Sequence, residues 1–291
     1  MTENRLAWQS KLILLAVLPA AAIDVLLKTQ WWAANNLAVA LWTIGLSLLL
    51  AVLTRIARAA TAVAALTGLF LTASLIFSTA RFPYQPWHTA LLPLLAVSVL
   101  AAVSTRIGRT RKLRLGAAEQ NDGRSAAQIA ANLGAAMLFA SEFAQSWVAD
   151  AHLLPRLRPE QMPLFIAALA ALAEAAADTV SSEIGQLLSA APRMITTLCK
   201  ATPGADGAIS LPGTTAGIAA AILVSLIGTW ALGGSATMAV LAAAGAVFGL
   251  FFDSLLGATF ERTGWLNNDA VNFLSTVSAA AFALAALSLV H

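Results

Sequence analysis

The chain has 291 residues, of which 59% are hydrophobic and 11% are charged, and its formal net charge is +3. Because soluble domains carry about 25% charged residues, this composition excludes a soluble globular protein and indicates a polytopic membrane protein. Only helices and closed barrels satisfy the backbone in lipid, and the long Ala, Leu and Val runs lack the alternation of barrel strands. The sequence therefore predicts an all-α transmembrane helical bundle.

Nine apolar runs are long enough to cross a bilayer. They lie at 12–28, 37–54, 59–78, 88–104, 127–148, 163–181, 213–232, 236–256 and 270–290. Only Gly233-Gly234-Ser235 separates the seventh run from the eighth, which predicts a tight hairpin. We expect one integral membrane domain over 1–291, with a four-helix N-terminal region at 1–104 and a motif-bearing region at 105–291.

Basic residues fall unevenly on the two sides that these spans define. With a cytoplasmic N-terminus, the inner segments hold thirteen of the 17 Lys and Arg side chains, and the outer segments hold four, Lys28 among them. The sequence therefore predicts an N-in/C-out, multi-pass protein of the cell membrane, which in a bacterium is the inner membrane. We expect the basic loop from Arg106 to Arg124 to set this orientation and to attract lipid headgroups.

The most informative polar residues stand at the end of the sixth span. Glu174, Asp178 and Glu183 follow an alanine-rich run, and an ionised carboxylate near hydrocarbon costs at least about 2.5 to 3.5 kcal/mol. On a continuous helix Glu183 lies about 140° from Asp178, so these two converge only if the helix ends near Gly185. The acids are candidates for binding a metal, a cation or a proton, and the alternative is a helix end that is hydrated at the interface.

Two further polar stretches fall on the same cytoplasmic side. In the loop that follows Lys200, glycines and hydroxyls can approach an anion, and Lys200 adds a mobile positive charge. The candidate phosphate-binding residues of this loop are Gly204, Gly207, Ser210, Gly213 and Thr214. If the seventh span begins near Gly213, its N-terminal dipole also favours a phosphate.

The third stretch links the eighth and ninth spans. Asp253 is a candidate oxygen ligand near the interface, and Asn268 or Asp269 can cap the helix that follows. Carboxylate and amide oxygens, with no Cys or His pairing beside them, suit Mg²⁺ that is held together with substrate phosphates.

These pieces together resemble one family of integral membrane proteins. They are Ala177-Asp-Thr-Val-Ser-Ser-Glu-Ile-Gly185, Lys200 with Pro203-Gly-Ala-Asp-Gly-Ala-Ile-Ser-Leu-Pro-Gly-Thr214, Asp253-Ser-Leu-Leu-Gly-Ala-Thr259 and Asn268-Asp-Ala-Val-Asn272. Upstream, residues 111–116, Gly123-Arg124 and residues 128–132 resemble it too. The family includes the plant and cyanobacterial phytyl-phosphate kinase, and most of its members are uncharacterised. The resemblance covers about residues 100–290 in ordered pieces.

The resemblance implies transfer of a phosphoryl group from a nucleotide, with CTP as the expected donor, to an isoprenyl monophosphate. By position, Asp178 and Glu183 would hold Mg²⁺ with Asp253, and Lys200 would contact phosphates beside the catalytic acids. The candidate substrate residues then also include Ser182, Asn268 and Asn272. Val180 and Ala208 depart from the family pattern.

Two other classes of function stay open. A transporter of an anionic substrate would use the same acids for cation or proton coupling, and its acids should be accessible from both sides. A scaffold would leave the acids without a role. The sequence contains no nucleophile elbow, Walker loop or Rossmann fingerprint, and we expect no nucleic-acid partner.

Overall fold

A computed structural model describes residues 6–108, 123–150, 162–188 and 191–290 of the chain. These residues are helical apart from loops and one two-stranded sheet, which confirms the predicted all-α class. A helix satisfies its backbone hydrogen bonds within one segment, as apolar runs of this length require in lipid. Residues 111–116, which carry part of the family resemblance, lie outside the described ranges.

Ten α-helices follow one another in these ranges. They are α1 (Ala7–Asn35), α2 (Leu37–Ile56), α3 (Ala62–Thr79), α4 (Leu91–Arg106), α5 (Ala126–Ala140), α6 (Glu142–Asp150), α7 (Met162–Leu188), α8 (Leu211–Ala231), α9 (Ala236–Leu256) and α10 (Asn268–Val290). A 3₁₀ helix covers Pro86–His88, and a π-helical turn, Gly257–Glu261, continues α9.

By length and composition, 7 helices of the described ranges can cross a membrane: α1, α2, α3, α7, α8, α10, and α9 with its π-helical turn. Two other apolar helices are shorter: α4, with 16 residues, overlaps the predicted fourth span, and α5, with 15, covers only the first part of the predicted fifth span. The chain is therefore a multi-pass membrane protein, and its described residues contain seven candidate spans. The nine-span count and the N-in/C-out orientation stay predictions.

Two helices differ from the predicted spans. The predicted fifth span, 127–148, is interrupted at Ser141, whose hydroxyl accepts from the Ala144 amide at 3.3 Å and donates to the Leu138 carbonyl at 2.7 Å. Helix α1 is longer than its predicted span, so Lys28 lies inside the helix and not in an outer loop. Lys28 pairs there with Asp24 at 3.1 Å, and a paired charge is tolerated in an apolar helix.

Helix α7 lies at the centre of the bundle. Every side chain from Leu164 to Ala177 is buried, and α4, α5, α8, α9 and α10 surround the helix. Small residues allow the close approach, because a Cβ added at Gly217 of α8 would lie 2.8 Å from the Ala177 carbonyl oxygen. A Cβ added at Gly249 of α9 would lie 2.6 Å from the Glu174 side chain.

The loop between α7 and α8 carries the two-stranded sheet. Its strands, β1 (Arg193–Met194) and β2 (Ala208–Ile209), are antiparallel, with Arg193 opposite Ile209 and Met194 opposite Ala208. Gly204 and Gly207 have φ of +82° and +73°, a region that strongly favours glycine. These turns bring residues 203–210 back over the end of α7.

Candidate functional site

A cavity of about 140 Å³ lies where several helices end on the same side of the bundle. The C-terminal parts of α7 and α9, the beginning of α10 and the loop at residues 203–210 form its walls. Eight of the predicted site residues line it: Asp178, Ser182, Gly204, Gly207, Ser210, Asp253, Asn268 and Asn272. The three polar stretches of the sequence therefore meet at one place.

Acidic side chains dominate this cavity. Besides Asp178 of α7 and Asp253 of α9, its lining includes Asp206 of the loop and Glu261 of the π-helical turn, neither of which was among the predicted site residues. Glu174 lies one helical turn deeper on α7 and is 1% exposed. The Asp253 carboxyl interacts electrostatically with Asp178, Glu174 and Glu261, so four of these acids belong to one charged group.

Two oxygens of this group lack partners. Among the described residues, Glu174 Oε1 and Asp253 Oδ1 are buried and accept no hydrogen bond. The Ser275 hydroxyl lies within hydrogen-bonding reach of both side chains but donates to the Asn272 carbonyl at 2.9 Å. A buried carboxylate oxygen without a donor is costly, so the arrangement favours a ligand from outside the chain.

Continuity of α7 separates the two predicted acidic ligands. The expected helix end near Gly185 is wrong, because α7 continues to Leu188. Asp178 therefore faces the cavity together with Ser181 and Ser182, whereas Glu183 is absent from the lining that the described residues provide. The spacing along a continuous helix, about 100° per residue, accounts for the difference.

Three other predicted site residues also lie outside the cavity lining. Lys200 is exposed, and its backbone lies opposite Arg193 beside the small sheet. Gly213 and Thr214 belong to the first turns of α8, where a Cβ added at Gly213 would lie 2.6 Å from the Ser181 carbonyl oxygen. Gly213 thus packs α8 against α7, as its small-residue spacing with Gly217 also indicates.

Two caps fix the helix ends at the cavity. Ser210 caps α8, and its hydroxyl accepts from the Gly213 amide at 3.2 Å. Asn267, and not the expected Asn268 or Asp269, caps α10 by accepting from the Ala270 amide at 2.9 Å. Because Asn267 supplies the cap, Asn268 lines the cavity.

The π-helical turn brings Glu261 into the site. Its first residue, Gly257, packs directly on the loop, since a Cβ added there would lie 2.8 Å from the Gly207 amide nitrogen. Such turns occur mostly inside or at the end of α-helices and are frequent at functional sites. Sequence periodicity does not reveal a π-helical turn, so Glu261 could not be placed in advance.

Two arginines lie beside the acids. Arg124 donates to the Thr179 hydroxyl at 3.2 Å and interacts electrostatically with Asp178. Arg262 interacts electrostatically with Asp206. Burial raises the pKa of the Asp206 carboxyl, and the positive charge of Arg262 partly offsets this rise. Arg124 was predicted only as part of an orienting basic loop, although Gly123-Arg124 also belongs to the family resemblance.

The donor set fits a hard cation better than a preformed metal cage. No three His, Cys, Asp or Glu side chains of the described residues converge closely enough to hold a metal. Mg²⁺, however, is commonly bound by one or two carboxylates and completed by water and substrate phosphates. Asp178 and Asp253, whose Oδ1 accepts no hydrogen bond from the described residues, provide such a pair, with Ser and Asn side chains close by.

Comparisons with known proteins cover most of the chain. Residues 45–280 match the family model described as "Integral membrane protein DUF92". An uncharacterized membrane protein of Methanocaldococcus jannaschii is 43% identical over 109 residues, which are 38% of this chain and 45% of that protein. An uncharacterized membrane protein of Synechocystis sp. is 29% identical over 205 residues, 66% of this chain and 72% of that protein.

A plant protein is similar as well. Protein VTE6, chloroplastic, of Arabidopsis thaliana is 30% identical over 187 residues, which are 62% of this chain and 53% of that protein. The matched part thus spans about half the length of the archaeal and plant relatives. No solved structure matches the chain.

Proposed function

The chain belongs to the DUF92 family of integral membrane proteins, and we propose that it transfers a phosphoryl group from a nucleoside triphosphate to a lipid monophosphate. The observation that carries the proposal is the pair of acids, Asp178 and Asp253, that faces a glycine-containing loop in one cavity. The expected acceptor is an isoprenyl monophosphate such as phytyl phosphate, and the expected donor is CTP. The resemblance to the phytyl-phosphate kinase family supports both choices.

The reaction requires little covalent chemistry from the protein. An oxygen of the lipid phosphate attacks the γ-phosphorus of the nucleotide, the bond from that phosphorus to the bridging oxygen breaks, and the products are a lipid diphosphate and a nucleoside diphosphate. Catalysis of such a step rests on positioning and on neutralising charge. The cavity offers residues for both tasks.

The side chains divide into two groups. Asp178 and Asp253 would hold Mg²⁺, which when bound offsets the negative charge of the phosphates. Ser182, Ser210, Asn268 and Asn272 line the same cavity and can donate hydrogen bonds to phosphate oxygens. Gly204 and Gly207 let backbone amides approach an anion without a Cβ in the way.

The location suits a lipid acceptor. The cavity lies at the ends of candidate membrane spans, next to the exposed apolar side chains of Leu211 and Leu255. A prenyl tail can therefore stay among the helices while its phosphate reaches the cavity at the interface. With the predicted N-in/C-out orientation, this interface is the cytoplasmic one, where nucleotides are available.

A transporter remains the second candidate because of one observation. Glu174 is 1% exposed, lies beneath the cavity and keeps an oxygen without a partner among the described residues. An acid inside a membrane span is a common coupling site for a proton or a cation. The transporter would carry an anionic substrate past this acid.

One experiment separates the two candidates. The purified protein is incubated in detergent with CTP or ATP, Mg²⁺ and a panel of prenyl monophosphates, and the products are identified by mass spectrometry. We expect a prenyl diphosphate, no product from the Asp178→Asn variant, and no product when EDTA is present. Absence of diphosphate with every donor, together with ion-driven anion uptake into proteoliposomes, would instead establish the transporter.

A further inference from the structure

The N-terminal end of α1 is hydrogen-bonded to the segment that precedes α10. The Gln9 side-chain amide donates to the Trp265 carbonyl at 2.8 Å, and its oxygen accepts from the Asn267 backbone amide at 2.9 Å. Gln9 is 8% exposed, although it stands in the first turn of a helix. One side chain thus satisfies two backbone groups that lie more than 250 residues away in the sequence.

Ser10 extends this contact. Its hydroxyl donates to the Asp269 carboxylate at 2.6 Å and accepts from the Asn267 side-chain amide at 2.9 Å. The same Asn267 amide group donates to the Leu6 carbonyl at 2.9 Å. We name these four side chains, Gln9, Ser10, Asn267 and Asp269, the N-terminal clasp.

The clasp holds the segment that forms one wall of the cavity. Glu261 lies four residues before Trp265, and Asn268 stands between two members of the clasp. Both Glu261 and Asn268 line the cavity. Residues 262–266 form turns and bends outside the helices, and the amides of Arg262, Gly264, Trp265 and Leu266 donate to carbonyls of residues 257–261 in the same segment. The hydrogen bonds of the clasp join this segment to α1.

We propose that the N-terminal clasp is a positioning device for the active site, so that α1 contributes to the reaction without touching the substrate. The proposal rests on the proposed phosphotransferase for its kinetic part only. Gln9 and Ser10 lie outside residues 45–280, the part of the chain that the family model matches. This chain therefore uses a helix from outside the matched region to fix a wall inside it.

Matched substitutions test the clasp. Gln9→Leu removes both hydrogen bonds at similar volume, and Gln30→Leu is its control, because Gln30 is exposed on the same helix. Ser10→Ala removes the hydroxyl, and its control Ser10→Thr keeps one. Hydrogen exchange of the wild type and the variants is followed in detergent without nucleotide, and peptides from α7 report on the stability of the whole bundle.

We expect backbone amides of residues 262–270 to exchange at least about tenfold faster in Gln9→Leu and Ser10→Ala, while α7 stays protected. Gln30→Leu and Ser10→Thr should match the wild type. If exchange is equal in all variants, or rises equally in α7, the clasp is not a local device. Because exchange is measured on the protein alone, this result stands even if no phosphoryl transfer is found.

Two site measurements test the positioning role. With CTP and phytyl phosphate, we expect kcat to fall about tenfold in Gln9→Leu and Ser10→Ala, and to recover in Ser10→Thr. Binding of Mn²⁺ alone, followed by its EPR signal, should weaken in the same variants, because Glu261 borders the proposed metal site. Faster exchange with wild-type kcat and wild-type Mn²⁺ affinity would overturn the positioning role and leave the proposed function intact.

Discussion

Two groups of buried charged side chains in this bundle contrast in how they are satisfied. In the first, Asp24 and Lys28 of α1 pair at 3.1 Å, and the hydroxyls of Ser74 and Ser78 on α3 complete the pair at 2.5 and 2.6 Å. We call these four residues the paired cluster. Each charge has partners within the protein, as burial in an apolar setting requires.

The second group, Glu174, Asp178 and Asp253, is the acidic cluster. Its members have the same charge, and two of its buried oxygens accept no hydrogen bond from the described residues. The described residues supply every partner for the paired cluster and too few for the acidic one. The comparison teaches that a buried charge indicates function when its partners are missing, whereas a fully partnered charge is compatible with a purely structural role.

The largest effect should come from neutralising an acidic-cluster ligand. Asp178→Asn and Asp253→Asn keep the side-chain volume but remove the charge that a divalent cation needs, so we expect phosphoryl transfer to fall about a hundredfold or more. Glu183→Gln is the matched control, because Glu183 does not line the cavity with the other described residues. Turnover is measured at saturating CTP and Mg²⁺.

The outcome of this comparison is informative in either direction. A hundredfold loss in Glu183→Gln would restore the sequence-based assignment of Glu183 as a ligand and would require α7 to unwind near Gly185 during the reaction. Near-normal turnover in Asp178→Asn and Asp253→Asn would make the acidic cluster structural.

The next largest effect should be on stability, from the paired cluster. Lys28→Met leaves Asp24, whose side chain is 16% exposed, without its cation, and we expect a loss of about 3 kcal/mol in the free energy of unfolding. The double variant Asp24→Leu/Lys28→Met replaces the whole pair with apolar groups and should recover most of this loss. Thermal unfolding in detergent gives the comparison.

Turnover per folded molecule is the second measurement on these variants. It should stay at the wild-type level in both, because the paired cluster serves the fold. A Lys28→Met variant that keeps its stability but loses turnover would contradict the division between the two clusters.

A smaller effect is expected at Glu174. Glu174→Gln removes a carboxyl that burial disfavours, so we expect the free energy of unfolding to rise by about 1 kcal/mol. Phosphoryl transfer should fall only several-fold, since Glu174 lies one turn deeper than Asp178 and is 1% exposed. If the protein is a transporter, the same substitution abolishes ion-driven uptake, and this loss identifies the second candidate function.

Much of the site could be predicted from the sequence because it lies at helix ends. The polar stretches at Asp178, Gly204 to Ser210, Asp253 and Asn268 each adjoin an apolar run, and such boundaries meet at a membrane face. Because successive spans end on alternate sides of the membrane, all four stretches are predicted on the same side. Composition, together with the lack of strand-like alternation in the apolar runs, was enough for the all-α class.

The remainder depends on geometry that local patterns do not encode. Whether Glu183 joins Asp178 is decided by the continuity of α7 through Gly185, and glycine inside a helix only weakens it. Glu261 depends on a π-helical turn. Gln9 depends on a contact across the whole chain, for which the sequence contains no periodic signal.

The smallest expected effect is that of Lys200→Ala on CTP binding, and Arg124 is the cation to compare with it. Arg124 donates to Thr179 and interacts with Asp178, so Arg124→Ala should lower turnover about tenfold, as loss of a hydrogen bond beside a charged group does. Lys200 is exposed, and solvent and salt screen its charge, so Lys200→Ala should weaken CTP binding less than about threefold. Turnover and CTP binding of the two variants are measured by titration with CTP at two salt concentrations. A ten- to hundredfold loss of CTP affinity in Lys200→Ala would mean that the loop at residues 200–210 closes over the bound nucleotide. Lys200 would then resemble the acidic cluster, because its partner would come from outside the chain.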